Sequence, residues 1–228
     1  MSDANAGKRA AGRAAADLVK SGQKIGLGSG STFLFALERL AERIAQEKLE
    51  IAGLPTSEGT AAAARQLGVP LCSFDEVDVL DLAIDGADEV NPQKVLIKGG
   101  GATLLREKIV AGAAREMVVV VDEGKLVSVL GKAFLLPVEV VPFGWQATKR
   151  NVAALGCKVQ LRMNGDQPLR TDNDNLIFDC QFEKGIGDPA FLHDELNRIP
   201  GVCENGLFVG VAGRVIVGDS EGKTRVIP

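Results

Sequence analysis

Lys24-Ile25-Gly26-Leu27-Gly28-Ser29-Gly30-Ser31-Thr32-Phe33 changes character half-way along. Lys24 to Leu27 is short and apolar, as a strand is, and Gly28 to Thr32 is a glycine-serine turn. Phe33, Leu37, Leu40 and Ile44 then recur at the spacing of one helix face. Strand, turn and helix make the unit from which a parallel sheet covered by helices is built. The same alternation extends in both directions. A helix from about Ala6 to Val19 leads in. Glu50 to Leu54 reads as a strand, Ser57 to Leu67 as a helix, and Val79 to Ile84 as a buried strand. Lys94 to Lys98 follows as a strand and Ala102 to Glu116 as a helix. Met117 to Val121 holds four consecutive valines, too β-branched for a helix, and closes the series as a central strand.

After Pro137 the rhythm changes to strand (Val138 to Val141), helix (Trp145 to Leu155), strand (Lys158 to Met163), a polar turn (Thr171 to Asn175) and strand (Leu176 to Phe182). A helix at Pro189 to Ile199 and a strand near Val202 to Phe208 complete it. This is the split β-α-β order, which packs two helices on one face of an antiparallel sheet. The fold expected is therefore α/β, with a parallel-sheet domain at residues 1–132. An α+β domain at 133–208 is inserted into it. Strand Arg214 to Val217 and the tail Thr224 to Ile227 return to the first sheet, so 209–228 complete the main domain.

Composition narrows the function. With 228 residues and 46% hydrophobic content the chain buries a core in one or two domains, so disorder is excluded. A net charge of -4 supplies no electrostatic reason to bind nucleic acid. No stretch reaches membrane-spanning length, and Lys8, Arg9, Arg13 and Lys20 stand among alanines without a signal-peptide core. A cytoplasmic protein with no membrane partner is the expectation. Cys72, Cys157, Cys180 and Cys203 are widely spaced, which suggests reduced, buried thiols and neither a zinc site nor a disulfide framework. The single histidine, His193, falls on the polar side of its helix, and there is no tyrosine. Acid-base chemistry is left to carboxylates and lysines.

Three turns follow strands, where ligands of such sheets bind. Gly28 to Thr32 offers backbone N–H groups at a helix start, with two hydroxyls beside them, which suits an anion. It lacks a P-loop lysine and the third glycine of a dinucleotide fingerprint, so it is either a small-phosphate site or a capped turn. Asp85-Gly86-Ala87-Asp88-Glu89 reads as a solvated turn, a divalent-metal loop or a pair of working acids. In Lys98-Gly99-Gly100-Gly101 three glycines let backbone approach a ligand closely, which a plain connector rarely needs. Glu107 follows in the next helix, and spacing alone favours a surface pair with Arg106 or Lys108. Lys125 either reaches the cleft or is solvated, and Trp145 belongs to a core or an interface.

Taken together these motifs resemble one family, ribose-5-phosphate isomerase, type A. The resemblance also runs through Thr56-Ser57-Glu58, Leu136-Pro137-Val138-Glu139-Val140, Thr171-Asp172-Asn173 and Ile199-Pro200-Gly201, in order and over nearly the whole chain. Ser29 replaces a threonine of many members, and Phe143-Gly144-Trp145 departs from the family pattern. The resemblance implies a Rossmann-like main domain, an inserted ferredoxin-like domain, a homodimer or homotetramer, and no cofactor or metal. It implies Glu107 as the base moving a proton between C1 and C2, and Lys98 as the cation steadying the oxyanion. Asp85 and Asp88 would open the sugar ring and handle hydroxyl protons. Lys8, Ser29, Gly30, Ser31, Thr32, Gly86, Ala87, Gly99, Gly100, Gly101 and Lys125 would contact ribose 5-phosphate or ribulose 5-phosphate. The competing readings are a sugar-phosphate sensor, which would want a DNA-binding helix pair, a hexosamine-phosphate deaminase, which would want a histidine by the sugar, and a coenzyme A transferase. The last would use a glutamate as acyl acceptor, a part Glu107 could mimic.

Overall fold

The computed structural model describes residues 5–228. The chain divides into two compact units: Met1–Ala87 with Arg106–Lys125 and Val211–Pro228, and Asp88–Leu105 with Leu126–Gly210. Residues 88–105 and 126–132, expected on sequence in the first domain, group with the second unit.

The first unit is built on a six-stranded sheet. Its order is Thr224–Ile227, Ala212–Gly218, Met117–Asp122, Leu82–Gly86, Lys24–Leu27, Ala52–Pro55. Every neighbouring pair is parallel except the edge strand Thr224–Ile227, which runs antiparallel to Ala212–Gly218. The period of two sorts the strands onto two faces. Ile25, Leu27, Ile84, Val118, Val120 and Ile216 pack with helices α1 (Ala6–Asp17) and α2 (Ser31–Glu47). Leu54 and Ala83 turn the other way and meet Val110. Because both faces are covered, all four residues of the Val118–Val121 run are buried, each contributing about 1.5–3 kcal/mol. Helix α3 (Glu58–Gln66) starts where Ser57 accepts the Thr60 N–H at 3.0 Å.

The second unit carries a four-stranded antiparallel sheet in the order Val202–Asn205, Leu136–Val140, Leu176–Gln181, Lys158–Leu161. Leu136, Val138, Val140, Phe178 and Leu196 share one core. Helix α5 (Trp145–Ala153) supplies Val152 to it, and α6 (Pro189–Asn197), capped by Asp188, supplies Leu192 and Leu196. Trp145 packs edge-on to Phe178 with ring centroids 6.3 Å apart. Two sequence motifs meet on the sheet's opposite side. The fully buried Glu139 Oε1 accepts hydrogen bonds from Thr171, Asn173 and Asn175 at 2.9–3.0 Å, which orders the polar turn.

Some elements differ from expectation for local reasons. The strand expected from Val79 starts at Leu82, with Val79 exposed, and runs on through Asp85 to Gly86. The helix expected from Ala102 to Glu116 is α4 (Leu104–Gly112), since Ala102 takes a φ of 60° that no helix accepts. The strand expected at Val202 to Phe208 breaks at Gly206. Leu207–Phe208 leaves to pair with Leu96–Ile97, which also pairs with Glu89–Val90. His193 is half-buried rather than solvent-facing, with Nδ1 within 3.0–3.2 Å of the Asn205 amide.

Candidate active site

In the first unit the parallel strands share one carboxyl edge, and the Gly28–Thr32 turn and Asp85 to Ala87 lie there. Asp85 is 3% exposed. Its Oδ1 accepts the Ser29 N–H at 2.9 Å and the Gly86 N–H at 2.7 Å, two charge-assisted bonds that fix the carboxylate. Only glycine fits at position 28: a Cβ there would lie 2.3 Å from Asp85 Oδ1 and 2.5 Å from the Ile84 carbonyl. The acid is thus seated inside the sheet edge, not on a solvated turn.

Glu107 is 5% exposed and faces inward with Val110 and Ala111, one helical turn on. With Asp85, Gly28, Thr56 and Ala83 it borders one small buried gap. The surface pairing that its spacing favoured gives way to burial, and Arg106 Nη1 reaches Glu58 Oε1 on α3 at 2.8 Å.

The start of α2 forms the third part of this unit's site. Gly30, at a φ of 88°, caps the helix without a side chain, so the first-turn amides of α2 receive no side-chain cap. Ser31 is exposed and Thr32 buried, and Lys8 Nζ lies 3.2 Å from Ser31 Oγ. Cation, hydroxyl and helix N-terminus together favour an anion. Ser29 is committed elsewhere: its hydroxyl joins Thr56, Ser57 and Thr60 at 2.8–3.1 Å and ties the turn to α3. Gly86 and Ala87 are half-buried at the end of the Asp85 strand. Lys125 ends the short turn Glu123–Lys125 at the same edge and is half-buried.

The second unit holds the remaining residues. Asp88 Oδ2 accepts the Gly100 N–H at 2.8 Å, and a Cβ on Gly100 would stand 2.8 Å from Asp88 Oδ1, so this acid too is seated against a glycine. Lys98 is 3% exposed, with its ammonium 5.5 Å above the Phe208 ring and its backbone N–H bonded to Gly206. Glu89, the third acid of the run, does structural work: buried, it accepts the Gly131, Ala133 and Phe134 N–H groups at 2.7–3.2 Å. Arg162 holds the glycine turn by donating to the Gly99 and Gly100 carbonyls at 2.9 and 3.1 Å, while Asp179 grips its guanidinium bidentately. Sequence reasoning missed Arg162 because its partners are contributed by strand pairing, with no local motif. Among the described residues no group of three His, Cys, Asp or Glu side chains is placed to hold a metal ion.

The family model of Ribose 5-phosphate isomerase A (phosphoriboisomerase A) matches residues 52–222. The chain belongs to this family. A relative from Bacillus mycoides, a ribose-5-phosphate isomerase A, is 48% identical over 94% of this chain and 96% of its own length. Ribose 5-phosphate isomerase A from Methanocaldococcus jannaschii superposes with a TM-score of 0.91 at 40% identity, covering 96% of this chain and 97% of that one. A D-ribose-5-phosphate isomerase solved in complex with phospho-erythronic acid gives 0.92 at 40% identity, covering 96% of each chain. The isomerase fold, a mainly parallel six-stranded sheet with separate antiparallel sheets, is the one described above. No helix of the described residues is long and apolar enough to cross a membrane.

Proposed function

We propose that this chain interconverts ribose 5-phosphate and ribulose 5-phosphate, a step of the pentose phosphate pathway, with Glu107 moving the proton through an enediolate. The observation that carries the reading is the burial of Glu107 and Asp85 beside one small gap at the carboxyl edge of a parallel sheet. Removing the proton next to a carbonyl leaves charge on oxygen, and Lys98 is the fixed cation that steadies it. Asp85 and Asp88, held by backbone amides, open the sugar ring and relay hydroxyl protons. Ser31, Thr32 and Lys8 take the phosphate, and Lys125 adds a further cation at the same edge. Gly86, Ala87 and Gly99 to Gly101 admit the substrate close to backbone. A phosphate anchored away from the reacting carbons supplies orientation, the contribution that a base alone does not make. The complex of the solved relative with phospho-erythronic acid is consistent with a phosphorylated sugar as substrate. The enzyme works as a cytoplasmic homodimer or homotetramer, which sedimentation velocity checks directly.

The test of the assignment is ribulose 5-phosphate formation from ribose 5-phosphate by the purified chain; no formation rejects it. Lys98 supplies the positive charge that a Lewis acid otherwise would, so activity survives exhaustive treatment with a chelator. Loss restored by a divalent ion returns the acidic run to a metal role. Changing Ser31 and Thr32 together to alanine weakens binding of ribose 5-phosphate roughly 10- to 100-fold and leaves the weak binding of unphosphorylated ribose unchanged. Equal losses for both sugars reject the phosphate role.

A further inference from the structure

Cys157 and Cys180 take no part in the isomerase chemistry, yet the second unit brings them together. Cys180 faces Val159 across the pairing of Leu176–Gln181 with Lys158–Leu161. Cys157, two residues before Val159, projects from the same face of that sheet. Both enter the core beneath α5, Cys180 at 1% exposure and Cys157 at 8%. Each thiol shifts the acidity of the other, and the Cys157 Sγ donates to the Val152 carbonyl at 3.5 Å. Cys157 also lines a cleft of about 390 Å³. Gly156, Lys158, Phe182, Glu183 and Lys184 share that cleft, whereas Cys180 does not line it.

We propose that Cys157 and Cys180 form a peroxide-reactive dithiol, with Cys157 as the attacking thiol at the cleft and Cys180 as the resolving thiol in the core. The Cys157 thiolate attacks one oxygen of a hydroperoxide. The O–O bond breaks, and the other oxygen leaves with a proton as water or an alcohol. Cys157 is then a sulfenic acid. The Cys180 sulfur attacks that sulfur and gives up its proton, and the hydroxyl leaves as a second water, so two thiols are oxidised and one peroxide is reduced.

The chemistry of the pair supports that order. The neighbouring Cys180 thiol lowers the Cys157 pKa against the opposing effect of burial, whereas the Cys157 thiol and burial hold Cys180 well above the ordinary thiol range. Burial raises Cys72 and Cys203, so the two more exposed thiols are the poorer nucleophiles. Closing the disulfide requires the Cβ atoms to approach. Cys157 stands outside the paired strand behind Gly156, so this approach breaks no ladder bond.

The experiment exposes the folded full-length protein to a small excess of hydrogen peroxide, alkylates free thiols and maps them by mass spectrometry. The expected result is loss of two hydrogen atoms from the intact mass and a Cys157–Cys180 linked peptide, with Cys72 and Cys203 still alkylated and the change reversed by dithiothreitol. The Cys180→Ser variant accumulates a sulfenic acid at Cys157 that dimedone traps. If Cys180→Ser does not fold, the wild-type map decides alone. Cys157 alkylated as a free thiol after peroxide, or Cys72 and Cys203 oxidised first, overturns the proposal.

Discussion

Glu107→Gln lowers kcat for ribose 5-phosphate isomerisation by roughly 10²- to 10⁴-fold, the contribution of a positioned base, while KM stays near its wild-type value. Glutamine keeps the volume and a polar end in a site that is 5% exposed, so the packing around Val110 and Ala111 persists and circular dichroism is unchanged. A fall in kcat and kcat/KM together is the signature of an interaction used only in the transition state. Near-normal turnover removes Glu107 from the chemistry. A rise in KM alone turns it into a binding group.

Lys98→Met lowers kcat by roughly 10²- to 10³-fold, the loss recorded when an oxyanion donor is removed. Methionine retains an unbranched stem of similar length, so the space beside Phe208 stays filled and only the charge is deleted. Steady-state kinetics together with thermal unfolding separate the two effects. An unchanged kcat with a lower unfolding midpoint shows that Lys98 serves packing, and a changed kcat with unchanged stability supports its electrostatic part.

The periodic elements were legible because burial imposes their pattern. The switch from period two to period 3.6 at Gly28 marks the strand, the turn and α2, and the valine run marks the strand buried on both faces. Special backbone was not legible: Ala102 at a positive φ shortens α4, and Gly206 sends the next two residues to a different sheet. Of the site, the turns at strand ends were visible as breaker clusters, but which acid does what was not. Asp85, Asp88 and Glu89 are near neighbours with three different environments, one bonded to Ser29 and Gly86, one to Gly100 and one to the 131–134 loop. Those partners are set by tertiary pairing. Glu107 did carry a signal, since Leu104, Val110 and Ala111 stand three or four residues away on its face, yet charged neighbours on both sides masked it. Arg162 and the Cys157–Cys180 contact had no local signature, because cross-strand neighbours follow register and not sequence distance.

The account rests on proton transfer by Glu107, and its most direct test is isotope exchange. The chain is incubated with ribose 5-phosphate in deuterium oxide for many turnovers while the C2 proton is followed by NMR. The wild-type protein is expected to lose the C2 signal as deuterium enters C2 of ribose 5-phosphate and C1 of ribulose 5-phosphate, and Glu107→Gln to retain it. Interconversion of the two sugars to equilibrium by the wild-type chain with no deuterium incorporated at either carbon contradicts the enediolate and the role of Glu107 with it.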